Sequence, residues 1–225
     1  MSSAVQVRKE RLTLERANRM LRSRADLIDR GRTDAWIAAG VASGVLVRVR
    51  RGHYAPAASW GRLWPEGRHL LRVLAVHRDA VAPPIFCGAS AAVIHGFPLY
   101  RHEPARVHVA IPQPGHAGSS SDVLRHRLDL SDEDVVEVAG MRVTSPLCTV
   151  FDVSRVLSTE AAQSIADAGL RRFAVTGHRR TRTSPGSGTT TCSAASAMRT
   201  GRRARSGAGR SRRSPTGGPS CPARA

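Results

Sequence analysis

Between Ser23 and Pro56 the hydrophobic pattern passes from the spacing of a helix to that of a strand, and few folds accommodate that change in so short a stretch. Ser23 and Asp26 are spaced as a capping box, with the hydroxyl on the N3 amide and the acid near the positive helix end. A short helix is expected there, carrying Ala25, Leu27 and Ile28 inward and stopping at Gly31, where a residue without Cβ lets the chain turn. Thr33 is placed to cap a second helix from Asp34 to about Ser43, whose Trp36, Ile37, Gly40 and Val41 recur at helical spacing. Two short helices around a turn containing Gly form the helix-turn-helix pattern.

From Val45 the period is two. Val45, Val47 and Val49 alternate with Leu46, Arg48 and Arg50, Arg51-Gly52 reads as a tight turn, and His53-Tyr54-Ala55 as the return strand. The expectation is a winged helix-turn-helix over residues 1–66, with one hairpin face on the helices and a row of guanidinium groups on the other. Arg makes bidentate bonds to phosphate oxygens and displaces condensed counterions, so double-stranded DNA is the expected partner. Arg48, Arg50 and Arg51 would grip phosphate, while Thr33, Asp34 and Trp36 would face the groove or its rim. The second helix offers base edges little beyond Asp34, Trp36 and Ser43, so backbone positioning is better supported than base readout. The alternative is a protein-interaction module that docks a partner on the same apolar helix.

Charge bears on this only through its distribution. The 225 residues carry a formal +18, but Thr176 to Ala225 hold eleven Arg and no acid, which leaves +7 for the first 175. Those last fifty residues contain no Leu, Ile, Val, Phe, Trp or Tyr, too little apolar surface to offset chain entropy, so residues 176–225 are expected to be a disordered basic tail. With 34 Arg to one Lys, the composition of a GC-rich coding sequence, the tail reads as an out-of-frame or degenerate remnant; a basic arm adding nonspecific affinity for nucleic acid is the rival reading.

No run of about 18 apolar residues occurs, so no membrane partner is expected, and the N-terminus lacks the apolar region of a signal peptide. A cytoplasmic protein is the expectation. Cys87, Cys148, Cys192 and Cys221 form no C-x-x-C pair, and Cys87 and Cys148 sit among apolar neighbours as small core residues do.

Residues 67–175 read as a second domain. Leu70, Leu71, Leu74 and Ala75 set out a helix, Pro83-Pro84 precedes the apolar run Ile85-Phe86-Cys87, and Ser90 is placed to cap a helix from Ala91 to His95. Strands are expected at Arg106–Ile111 and Val123–Leu128, and a pair within Val135–Val143 bent at Ala139-Gly140. Two helices follow, PLCTVFDVSRVL and TEAAQSIADAGLRR. Strands followed by helices predict an α+β fold, a winged helix-turn-helix followed by a small mixed domain.

Chemistry is thinly represented. Gly88-Ala89-Ser90-Ala91-Ala92 resembles a nucleophile elbow with Ala for its last Gly, but the only His after Asp152 is His178, and Ser90 is more simply a helix cap. One lysine, Lys9, supplies neither a Walker loop nor a nuclease triad. Asp129, Asp132, Glu133 and Asp134 read as a turn leading into a strand, and His102, His108, His116 and His126 lack ligand spacing. No catalytic residue, cofactor or metal is expected, and the chain reads as a non-enzyme.

Three phrases, taken in order, resemble the actinobacterial AbiEi-type antitoxins of type IV toxin-antitoxin systems. They are Leu46-Val47-Arg48-Val49-Arg50-Arg51-Gly52-His53-Tyr54, Ser90-Ala91-Ala92 with His95-Gly96-Phe97-Pro98, and Val143-Thr144-Ser145-Pro146 with Thr149, Asp152 and Arg155. Cys148 stands where such proteins often carry Arg. The resemblance implies an N-terminal winged helix that binds operator DNA and represses its own operon. It also implies a downstream domain needed to oppose a nucleotidyltransferase-like toxin, with that toxin or its target as a partner. Many relatives continue into a restriction-endonuclease-like domain, so an inactive truncated relative of such a protein is a further alternative.

Overall fold

In the computed structural model, residues 9–111 and 120–180 are described, with side chains as far as Arg172. The fold is α+β. His116 and the tail beyond Arg180 lie outside the described residues.

Among the described residues the first helix is α1 (Leu14–Met20), capped by the Thr13 hydroxyl on the Arg16 amide; it buries Ala17, and Leu21 is buried just past its end. Strand β1 (Arg22–Ser23) runs directly into α2 (Arg24–Ile28), and α3 (Asp34–Ala42) follows. Both caps form as spaced. Ser23 Oγ accepts from the Asp26 amide at 3.0 Å while Asp26 accepts from the Ser23 amide at 2.8 Å, and Thr33 Oγ1 accepts from the Trp36 amide at 3.1 Å. Such caps each contribute about 1 kcal/mol.

Burial is narrower than the helical spacing suggested. Leu27 alone is buried on α2 and Ile37 alone on α3, while Ile28, Trp36 and Val41 are exposed.

β2 (Leu46–Arg50) and β3 (His53–Pro56) form the expected hairpin, and β1 adds to β3 to give a three-stranded antiparallel sheet of order β1-β3-β2. Leu46 faces α3, where a Cβ on Gly40 would stand only 3.1 Å from its Cδ1, so the glycine permits the close approach; Val45 is instead exposed. The ladder is irregular. Arg48 pairs with Tyr54 but Arg50 pairs with His53, leaving Val49 as a bulge that packs on the core.

After α4 (Ala57–Gly61), α5 (Pro65–Asp79) starts with proline at its first position and buries Leu70, Leu71, Val73, Leu74, Ala75 and Val76. Further on come β4 (Ile85–Phe86), α6 (Gly88–His95), β5 (Val107–Ile111), β6 (Val123–Arg127), β7 (Val135–Val138), β8 (Met141–Thr144), α7 (Pro146–Ser154) and α8 (Thr159–Arg180). The five strands form a mixed sheet of order β6-β5-β4-β8-β7, with β4 parallel to β8 and β5 parallel to β6. The β7–β8 turn is Ala139-Gly140, both residues at positive φ, as a two-residue hairpin loop requires. α8 continues through Arg180, five residues into the segment expected to lack structure.

One cluster of buried residues runs from Leu12, Ala17 and Leu21 through Ala55 and Leu63 to α5, α6 and the larger sheet. Ser90 is not a cap. Cys87 occupies that position without a side-chain bond, and Ser90 lies within α6, fully buried. The sequence placed the helix start three residues late because the preceding Gly88-Ala89 carries no apolar period.

Candidate nucleic-acid interface

The hairpin and the two capped helices lie together: the Arg24 amide at the start of α2 donates to the Gly52 carbonyl in the hairpin turn at 2.7 Å. Residues 1–66 carry thirteen basic side chains against six acids, and residues 67–175 eleven against eleven. The entire excess charge of the first 175 residues therefore falls on the segment that contains the hairpin.

The six residues singled out from sequence divide sharply. Arg48 and Arg51 are exposed, and neither meets a carboxylate among the described residues. Trp36 is exposed at 38%, with the Arg32 guanidinium 4.7 Å from its ring centre. Thr33 Oγ1 is engaged in capping α3, which leaves its hydroxyl proton to donate.

Arg50 and Asp34 require correction. The bulge at Val49 breaks the alternation that would have placed Arg50 beside Arg48, and its guanidinium turns toward the rest of the protein. Its Nε donates to Asp122 Oδ2 at 2.5 Å and its Nη1 to Asp79 Oδ2. Burial works against the charges, yet these bonds hold Asp122 below the usual carboxylate range and keep Arg50 ionised. Arg50 is therefore a clamp between the hairpin, α5 and the start of β6, not a phosphate contact. Asp34 is held bidentately by Arg24, Nε to Oδ1 at 2.7 Å and Nη2 to Oδ2 at 2.5 Å, so its charge is answered before any ligand arrives.

Arg24, which holds Asp34, and Arg32, which lies over the Trp36 ring, are members of the candidate interface that sequence reasoning missed. The signal was present as a basic cluster, Arg24, Arg30 and Arg32, around the ends of α2.

The larger sheet gathers polar groups of another kind. Ser90 Oγ accepts from the His108 amide at 2.8 Å and bonds His69 Nε2 at 2.9 Å, joining α5, α6 and β5. Both members of this Ser–His pair have no accessible surface, so the pair is a brace with no route for a substrate. Burial pushes His69 down to about 3 and His108 to about 4, the latter beside His126, whose Nε2 is 3.1 Å from His108 Nδ1. His95 Nε2 donates to the Thr144 carbonyl at 2.8 Å, tying α6 to β8. The phrases Ser90-Ala91-Ala92 and Thr144 to Thr149 are thus largely internal fastenings.

The acidic cluster serves as a cap: Asp134 accepts from the Ser131 amide and hydroxyl and from the Cys148 thiol at 2.9 Å. Burial would raise its pKa, but these donors hold it below the ordinary value. Among the described residues no three His, Cys, Asp or Glu side chains are grouped to hold a metal ion, and no helix is long and apolar enough to cross a membrane. Cys87 is buried, which pushes its thiol pKa up.

No protein-family model matches the chain, and no curated protein matches it significantly. Among solved structures, the crystal structure of the RV2827C protein from Mycobacterium tuberculosis aligns at 18% identity with a TM-score of 0.38. The alignment covers 66% of this chain and 63% of that one, so the chain spans less than two thirds of the other's length.

Proposed function

We propose that this chain is a DNA-binding, antitoxin-like transcriptional regulator of a type IV toxin-antitoxin system that represses its own operon, a cytoplasmic protein without enzymatic activity. Its first 66 residues act as a winged helix-turn-helix, and residues 67–175 as the domain that opposes a nucleotidyltransferase-like toxin. The observation that carries the reading is the exposed pair Arg48 and Arg51 on a hairpin bonded to the start of α2, within a segment that holds all the excess charge outside the tail. Phosphate neutralisation by such side chains releases counterions and fixes the protein on the duplex. The element order helix-strand-helix-helix-strand-strand and the sheet order β1-β3-β2 are those such a module needs. The three phrases that resemble AbiEi-type antitoxins support the downstream role.

The test is binding of the full chain to its own upstream duplex over a series of salt concentrations. Changing Arg48 and Arg51 together to Ala is expected to flatten the slope of log K against log salt by roughly two contacts' worth, about 1.8. An unchanged slope removes the hairpin from the interface.

A second reading is favoured by α3, whose Trp36 and Val41 are exposed beside Val45, itself 61% exposed. An apolar helix face suits a protein partner better than base edges. If Trp36→Ala abolishes association with the product of a neighbouring gene while the salt slope on DNA stays as in the parent, the helix is a docking surface.

A further inference from the structure

A cavity of about 580 Å³ lies between the start of α6, the strands β5 and β6, and α7. That volume is within the range of small-molecule sites. Its walls are largely apolar, with Leu124, Val153 and Leu157 among them, and a few polar groups reach it from separate elements: His108 and His126 from the sheet, His102, Glu103 and Arg106 from the chain before β5, and Asp152 and Arg155 at α7.

Asp152 is the unusual member. It is half-buried, and its carboxylate accepts no hydrogen bond among the described residues. Every other half-buried acid with a shifted pKa is bonded: Asp26 to Ser23, Asp122 to Arg50 and Ser120. Burial accordingly raises the Asp152 pKa, Arg155 opposing and Asp134 adding to the rise. A desolvated carboxylate with both oxygens open is answered best by two adjacent N–H donors.

The neighbours narrow the ligand. The lining sets two arginines, Arg106 and Arg155, against two carboxylates, Asp152 and Glu103, so it has no excess negative charge to draw a cation and a neutral donor pair suits it. Histidines kept neutral by burial, His108 and His126, stack at 5.0 Å between centroids and 26° between planes, and present flat uncharged rings. A flat neutral ligand with two neighbouring N–H donors and an anionic substituent for Arg106 has the chemistry of a guanine nucleotide.

We propose that this cavity binds a guanine base, with Asp152 accepting its N1–H and N2–H and Arg106 meeting the attached phosphate. The same base is supplied by a free nucleotide or by an unpaired guanine in a single strand. The inference does not rest on the hairpin, and its failure would leave the DNA reading standing.

The experiment is calorimetric titration of the full chain with GMP, guanosine and AMP, and with a thymine-only single strand carrying one guanine or none. GMP is expected to saturate one site at least about tenfold more tightly than AMP, because adenine lacks the paired donors. Binding only of the guanine-bearing strand assigns the base to nucleic acid, and binding of GMP assigns it to the free nucleotide. Asp152→Asn, which offers one acceptor and one donor, is expected to lose the guanine preference and to favour xanthosine monophosphate. Arg106→Gln is expected to weaken GMP about tenfold and to leave guanosine unchanged. Equal binding of AMP, no binding of any guanine-bearing probe, or an undiminished guanine preference in Asp152→Asn overturns the proposal, as does an Arg106→Gln protein with parent affinity for GMP.

Discussion

The hairpin from Leu46 to Pro56 and the seam where α5, α6 and β5 meet treat polar side chains in opposite ways. On the hairpin, Arg48 and Arg51 keep their charges in water, where each costs the fold little and remains available to a partner. In the seam, His69 and Ser90 are fully enclosed and spend their hydrogen bonds on holding elements together. The first arrangement is a surface whose stability contribution is small and whose charge matters. The second is a brace whose charge must stay off. Arg50 stands between them, a hairpin residue whose guanidinium is held by Asp79 and Asp122.

Acid should break the seam first and by the largest amount. The folded pKa of His69 lies near 3 and that of His108 near 4, both below the usual value, so the native state favours the neutral rings. Their contribution is complete above the unfolded pKa of about 6.5, and it is lost as pH falls toward the folded values. Stability measured by urea denaturation is expected to drop by about 1.4 kcal/mol per pH unit for His69 alone between pH 6.5 and 4. A flat profile over that interval means that the histidine opens to solvent before the protein unfolds.

Ser90→Ala tests the same seam at neutral pH. It leaves the His108 amide and His69 Nε2 without their shared partner, at an expected cost of about 3 kcal/mol by denaturant midpoint. Arg48→Ala, by contrast, should change stability by less than about 0.5 kcal/mol while lowering DNA affinity. Similar stability costs for the two would erase the contrast between brace and surface.

What the sequence made legible follows the same division. Ser23, Thr33 and Arg51-Gly52 act on residues within three or four positions, and the caps and the hairpin turn stand where their spacing put them. The seam was illegible because its partners lie far apart: His69, Ser90 and His108 meet only once α5 crosses the sheet. β1 is two residues long and has no period to read. The bulge at Val49 is decided by the core beneath it, and the fate of Arg50 by Asp122, 72 positions away. In the candidate interface, therefore, the arginine-rich phrase was visible, but which arginine serves the protein and which faces outward was not.

That clamp gives a smaller and more diagnostic effect. Asp122→Asn removes one of the two charges holding Arg50 and, for a half-exposed pair, is expected to cost about 1 kcal/mol or less. If the released guanidinium reaches the duplex, the salt slope of DNA binding should steepen by about 0.9, one added phosphate contact. A steeper slope would show that the downstream residues restrain the hairpin. An unchanged slope would confine Arg50 to its structural part.

The last effect concerns a turn in neither region, and it calibrates the others. Ala139 holds φ at +51° in the β7–β8 turn, a conformation in which its Cβ crowds the following carbonyl. Asn keeps the Cβ but offsets its cost with a local side-chain hydrogen bond, and Asn-Gly is the pair that such two-residue turns favour. Ala139→Asn is therefore expected to raise the denaturant midpoint by the equivalent of about 0.5–1 kcal/mol, with DNA affinity and its salt slope unaltered. Because the turn touches neither the seam nor the hairpin, the gain should add to the loss from Ser90→Ala in the double variant to within about 0.5 kcal/mol. A larger departure would mean that the β7–β8 hairpin and the seam unfold as one unit, and the cost assigned to Ser90 would have to be shared with the sheet.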